Sequence, residues 1–157
     1  MVDIIVIGAG TAGLSAAIYG VRAGKDVLVL ENQSYGGQII NAAEVENYPG
    51  IKNISGFQFA TDIYEQAVSL GAEITFEEVI DVELEKDVKI VKTKKNIYEC
   101  KAVIIATGAG KRKLGLENEE KLVGRGISYC ATCDGMFFKG KDVAVVGGGN
   151  TAISDAL

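Results

Sequence analysis

Two cysteines separated by two residues, in the string Cys130-Ala131-Thr132-Cys133-Asp134-Gly135, are the side chains best suited to chemistry in this sequence. That spacing lets the sulfurs reach each other, so the pair can be oxidised to a disulfide and reduced again without large movement. An unperturbed thiol, with pKa near ~8.5, is only about 3% thiolate at pH 7, so a working site must stabilise the anion. A flavin edge or a helix N-terminus would do so. Asp134 is the neighbouring group able to give or take the thiol proton, and equally a residue type that caps helices and turns. The chain has three Cys and no His. A zinc site at the pair would need Cys100 and a carboxylate to complete it, which argues against metal. Cys100 itself stands on a strand flank without a partner and reads as a small buried hydrophobe.

A redox pair needs an electron source, and two glycine turns could hold one. Gly8-Ala9-Gly10-Thr11-Ala12-Gly13 follows an apolar strand and opens a helix, the setting in which the pattern binds a dinucleotide pyrophosphate. The first glycine permits the turn, the second admits the pyrophosphate, and the third lets helix pack on strand. The helix N-terminus adds unpaired N–H groups and partial positive charge. Glu31 ends the next strand, roughly 20 residues on, where a carboxylate can accept both ribose hydroxyls. Gly36-Gly37-Gln38, the stretch from Asn47 to Gly50, and Ala106-Thr107-Gly108 lie where the backbone could lean on the rest of a large cofactor, or form ordinary turns. A second cradle, Gly147-Gly148-Gly149-Asn150-Thr151-Ala152, follows Val143 to Val146. Two cradles would hold two dinucleotides, as hydride transfer from nicotinamide to flavin requires.

The bulk composition limits the alternatives. A chain of 157 residues that is 48% hydrophobic can bury a core. Its net charge of −5, from 16 Lys+Arg against 21 Asp+Glu, gives no long-range attraction for nucleic acid or an anionic membrane. No apolar run is long enough to span a bilayer. Met1-Val2-Asp3 leads straight into an apolar strand without a basic leader, so the expected compartment is the cytoplasm, where a Cys-x-x-Cys pair suggests redox chemistry rather than a structural bridge.

The elements that must position these groups follow from periodicity. Strand 2–7 leads through the first cradle to a helix with stripe Leu14, Ala17, Ile18 and Val21, ended by Gly24. Strand 27–30 follows, then a long loop over 31–50. A second helix over 56–70 presents Phe57, Ala60, Tyr64, Ala67 and Val68, ended by Gly71, and strand 72–76 comes next. Ile80, Val82 and Leu84 alternate with Asp81, Glu83 and Glu85, which predicts a half-exposed strand, and two short strands over 88–92 and 96–99 complete a meander. Its turn lysines, Lys89, Lys92, Lys94 and Lys95, read as edge solvation. The run 103–106 predicts a strand buried on both faces. Residues 111–126 connect to a unit containing the Cys pair, strand 142–146 and the second cradle. The expected fold is α/β: a three-layer Rossmann-like dinucleotide-binding domain over 1–110, with parallel sheet plus β-meander, then the start of a second Rossmann-like domain over 111–157.

With both cradles, the dithiol and Ala106-Thr107-Gly108 in this order, the chain resembles the low-molecular-weight thioredoxin reductases from Met1 to Leu157. The resemblance implies FAD on the first cradle with Glu31 and the Gly36-Gly37-Gln38 and Asn47 to Gly50 loops, and NADPH on the Gly147 to Ala152 turn. It implies that Cys133 faces the flavin, Cys130 attacks the disulfide of thioredoxin, and Asp134 is the acid/base. Alkyl hydroperoxide reductase flavoproteins share the layout, but Ala131-Thr132 is more similar to the thioredoxin reductase form. Members of the family are roughly twice as long, with the NADPH domain inserted into the FAD domain, and form homodimers through the latter. The expectation is therefore an N-terminal half, idle alone with NADPH. Alternatives are a dinucleotide-binding module needing a complementary chain, and a ferredoxin-driven disulfide reductase.

Overall fold

The apolar segment Val27–Glu31 forms strand β2, whose residues 27–30 are all buried, because it runs between two parallel neighbours with a layer on each face. Those neighbours are β1 (Val2–Ile7) and β3 (Glu73–Phe76). The computed structural model describes residues 1–110, 112–131 and 135–157, the side chain of Thr151 excepted. It divides into two units, Met1–Gly108 and Ala109–Leu157.

The first unit is a six-stranded sheet in the order β3-β2-β1-β6-β5-β4, completed by β4 (Val79–Glu83), β5 (Lys89–Thr93) and β6 (Ile97–Ile105). The pairings from β3 to β6 are parallel and those from β6 to β4 antiparallel. Side chains alternate between two cores. Val6, Val27 and Val29 face helices α1 (Thr11–Arg22) and α2 (Gly56–Ser69), packing with Leu14, Ala17, Ile18 and Ala67. Ile5, Leu28 and Leu30 form a second cluster with Val91 and Cys100 of the meander. The three-layer α/β arrangement follows from that two-sided burial.

Three local expectations change. Residues 97–105 form one strand rather than two: its first half pairs with β5 and its second with β1. Along 102–105 only β1 pairs with it among the described residues, so Ile104 and Ile105 are exposed rather than buried on both faces. In α2 the buried stripe is Gly56, Phe59, Ala60 and Ala67, with Ile63 and Tyr64 packed beside it. This stripe keeps Ala60, Tyr64 and Ala67 of the expected one but leaves Phe57 and Val68 exposed. In β4 a register shift between Val79 and Asp81 breaks the alternation. Val79 and Val82 both reach the core while Ile80 turns outward, as one extra residue in a strand requires.

Two of the meander lysines, Lys92 and Lys94, hold ion pairs. Lys92 lies 3.0 Å from Asp81 and 2.6 Å from Glu83, and Lys94 lies 2.5 Å from Glu78. Beneath them Glu77 is buried, accepting hydrogen bonds from the Thr93 hydroxyl at 2.6 Å and Asn96 Nδ2 at 2.8 Å. The Thr93 bond, opposed by burial and aided by Asn96, holds its carboxyl below the usual glutamate range. Because the folded-state pKa is depressed, this stabilisation is present above the unfolded value and lost as pH falls through the folded one. Glu77→Gln should therefore lower the melting temperature near neutral pH and leave a shallower loss of stability on acidification below the ordinary glutamate range. Thermal melts of both proteins between neutral and acid pH would check this.

Candidate functional site

The first glycine turn is built from backbone packing at the C-terminal ends of β1, β2 and β6. Gly8 donates its N–H to the Leu30 carbonyl and Ala106 donates to that of Ile7, each at 2.8 Å. Gly8 has φ 105°, and a Cβ there would lie 2.4 Å from the Ala106 carbonyl oxygen. A Cβ on Gly13 would lie 1.8 Å from the Gly8 oxygen, so α1 can pack on the turn only through glycine. Gly10 differs. It is extended at φ −76°, caps α1 without a side-chain hydrogen bond, and a Cβ would meet only the Gly37 Cα at an ordinary 3.8 Å.

The neighbouring loops converge here. Gly36 donates to the Ala9 carbonyl at 2.8 Å and forms a parallel bridge with Gly10. Gly36 and Gly37 have φ of 101° and 61°, and a 3-10 turn over Gly37–Asn41 carries Gln38. Glu31 binds both ends of the arrangement: its Oε2 accepts the Ala9 N–H at 2.8 Å and its Oε1 the Gln33 N–H at 2.9 Å. Each carboxylate oxygen has a further lone pair for a ligand hydroxyl. Ala106 packs against the helix-side core, while Thr107 and Gly108 are exposed. Asn47 is exposed in a loop closed by the Val45–Ile54 bridge and braced by Tyr48 against Phe59, with ring centroids 4.9 Å apart.

Sequence reading missed the support behind these loops. Gly56 donates to the Ala42 carbonyl at 2.9 Å, and a Cβ there would lie 1.8 Å from the Ile39 oxygen. The start of α2, capped by Ser55, thus holds the 37–42 turn in place. Tyr35 stacks on Tyr64 of α2 at 4.2 Å. Ser55-Gly56 was a visible capping signal; the close approach was not.

In the second unit the Gly147 turn and its helix Asn150–Ala156 form, but residues 142–146 do not make a strand. Val143 and Val146 are 65% and 68% exposed. A lone extended segment has no ladder to join, and among the described residues this unit contains no strand. Gly147, at φ 135°, would place a Cβ 3.2 Å from that of Ala152, while Gly149 caps the helix. Asn150, which starts the helix, is exposed, and Thr151 follows it in the first turn.

Cys130 is half-buried and disulfide-bonded. Its N–H donates to Ser128 Oγ at 3.1 Å, and that hydroxyl lies 3.2 Å from the Cys130 carbonyl. Cys133 and Asp134 lie outside the described residues. Cys100 is fully buried as a free thiol, and burial pushes its pKa up, which fits an inert packing role. Among the described residues no His/Cys/Asp/Glu cluster could hold a metal, and no helix is long and apolar enough to cross a membrane.

A profile of the pyridine nucleotide-disulphide oxidoreductases matches residues 2–157. The chain belongs to that family. It is 47% identical to thioredoxin reductase of Treponema pallidum over 99% of its own length and 51% of the relative's. The Bacillus subtilis thioredoxin reductase is 45% identical, with 99% and 49% covered. Among solved structures, thioredoxin reductase from Streptococcus pyogenes matches with a TM-score of 0.88 and 44% identity, over 99% of this chain and 51% of that one. The chain spans about half the length of the curated relatives it matches.

The contrast between the glycines yields a stability test. Gly8→Ala meets backbone atoms at a positive φ and should cost about 1–3 kcal/mol. Gly10→Ala, which meets no close contact and loses only a glycine N-cap, should cost no more than about 1 kcal/mol. Urea unfolding of the two variants would separate them.

Proposed function

We propose that this chain forms part of a flavin-dependent thioredoxin-disulfide reductase, in which electrons pass from NADPH through FAD to the Cys130/Cys133 pair and on to thioredoxin. Gly10 carries the reading. The folded chain leaves room for a Cβ there, so packing does not demand glycine, whereas a pyrophosphate approaching the backbone does. Uncapped by any side chain at the N-terminus of α1, the Gly8 to Gly13 turn suits an anion, and Glu31 suits the ribose. The 36–38 and 106–108 loops would flank the rest of FAD, and the Gly147 to Ala152 turn would take NADPH. Residues 1–110 would then be the flavin-binding part and 111–157 the beginning of the nucleotide-binding part.

When bound, the nicotinamide and flavin supply the electron pair that opens the disulfide. The chain's own residues do the rest. The Cys130 thiolate attacks thioredoxin's disulfide, forming a mixed disulfide and releasing one thioredoxin thiolate, which takes a proton. The Cys133 thiolate then attacks the Cys130 sulfur, restoring the intramolecular disulfide and releasing the second thioredoxin thiolate, which is protonated in turn. Asp134 is the group beside the pair that handles these protons. The names and the similarity of the thioredoxin reductases above support the choice of thioredoxin.

Three outcomes follow. Gly10→Ala should retain the fold yet weaken FAD binding by about tenfold or more, the loss expected when a Cβ pushes off a backbone-bound phosphate; titration of flavin fluorescence would show it. The chain reduced with dithiothreitol and desalted should reduce about one equivalent of thioredoxin, and Cys130→Ser should abolish this. With NADPH as sole reductant the 157-residue chain should not turn over, because residues 142–146 lack the strand that frames the second cradle. Robust turnover would sink that last expectation.

A further inference from the structure

Glu119 is 5% exposed and lies outside both cradles and the dithiol string. Its Oε2 accepts the N–H groups of Gly115 at 2.7 Å and Leu116 at 3.0 Å; its Oε1 accepts that of Leu114 at 3.0 Å and the hydroxyl of Tyr129. Three successive backbone N–H groups converging on one anion form a nest, which together with the hydroxyl offsets the cost of burying the charge. The Leu114 N–H also lies 3.3 Å from the Tyr129 hydroxyl, so tyrosine and nest are closely joined.

Tyr129 directly precedes Cys130, and each residue on the approach to the cysteine is anchored. Ile127 donates to the Leu122 carbonyl at 2.9 Å and accepts from the Gly124 N–H at 2.8 Å, just after the short helix α3 (Glu119–Leu122) that begins with Glu119 itself. Ser128 brackets the Cys130 backbone through its hydroxyl. Tyr129 is fixed through its ring by Glu119.

We infer that Glu119 is a positioning residue for the redox pair: by holding Tyr129 it restrains the Cys130 backbone and favours the disulfide form. This rests on the reading of Cys130/Cys133 as a reversible pair. Restraint acts through entropy. Closing a disulfide requires the two sulfurs to be held together, and a backbone already fixed loses less freedom on closure. Freeing Tyr129 lowers the effective concentration of one thiol at the other, so the dithiol gains.

The test is the equilibrium of the pair with glutathione. The reduced pair and oxidised glutathione give the protein disulfide and two reduced glutathiones. The protein thiols lose two electrons and two protons, the glutathione S–S bond breaks, and both its sulfurs end protonated. Glu119→Gln and Tyr129→Phe in the 157-residue chain would be equilibrated in glutathione buffers, trapped by alkylation and weighed by mass spectrometry. Circular dichroism would check that the fold is kept. Both variants should lower the equilibrium constant for disulfide formation by about fivefold or more. A constant within about twofold of wild type in folded Tyr129→Phe overturns the inference. That variant removes only the hydroxyl and decides the matter if Glu119→Gln does not fold. Failure of the reduced wild-type chain to reduce thioredoxin would remove the reductase reading instead, with the glutathione shift standing separately.

Discussion

The exit of the chain from β1 constrains everything built above the sheet. Ile7 and Gly8 leave between two neighbouring chain segments, with hydrogen bonds to Leu30 on one side and Ala106 on the other. There is no space for a side chain at Gly8, nor at Gly13 where α1 rests on the turn. Since a Cβ at either place would overlap a carbonyl group, the helix start, the β2 exit and the β6 exit are fixed relative to one another by backbone alone. Glu31 and Gly36 then close the arrangement through Ala9, one accepting its N–H and the other donating to its carbonyl. The outcome is a backbone turn fixed at the C-terminal ends of parallel strands, the place where open α/β sheets bind ligands.

The meander is joined to this frame by a single nine-residue strand. β6 is antiparallel to β5 in its first half and parallel to β1 in its second, so the second apolar layer is brought against Ile5, Leu28 and Leu30 without a separate domain. The bulge in β4 adjusts the fit by turning Ile80 out and bringing Val79 and Val82 to the same core. Glu77 ties the base of the meander to the β5–β6 turn through Thr93 and Asn96. A buried carboxylate with satisfied partners specifies one pairing of these strands, since any slip would leave its charge unpaired.

The second unit is organised differently. Its described order comes from turns, short helices and the Glu119 nest, with hydrogen bonds spanning few residues. Local bonds of this kind can shape the approach to Cys130. They cannot support an apolar strand, because a strand's N–H and C=O groups and its side chains are satisfied only by neighbours. Residues 142–146 have the composition of a buried strand and lie exposed for that reason.

By itself the sequence determined the features whose cause is local. Gly8 and Gly13 announced a turn with no room for side chains, Gly24 and Gly71 the ends of two helices, the run 27–30 an apolar strand, and Cys130 and Cys133 a spacing that permits a disulfide. Backbone conformation, apolar period and sulfur reach each depend on a few neighbouring residues, so they can be read along the chain. The tertiary structure alone decided that Phe57 and Val68 lie off the buried face of α2, that 97–105 is one strand, that Ile80 bulges, that Glu31 holds Ala9, and that Glu119 reaches Tyr129. Each of these depends on a partner that another element brings into range, and no periodicity within a window records which side chain will arrive.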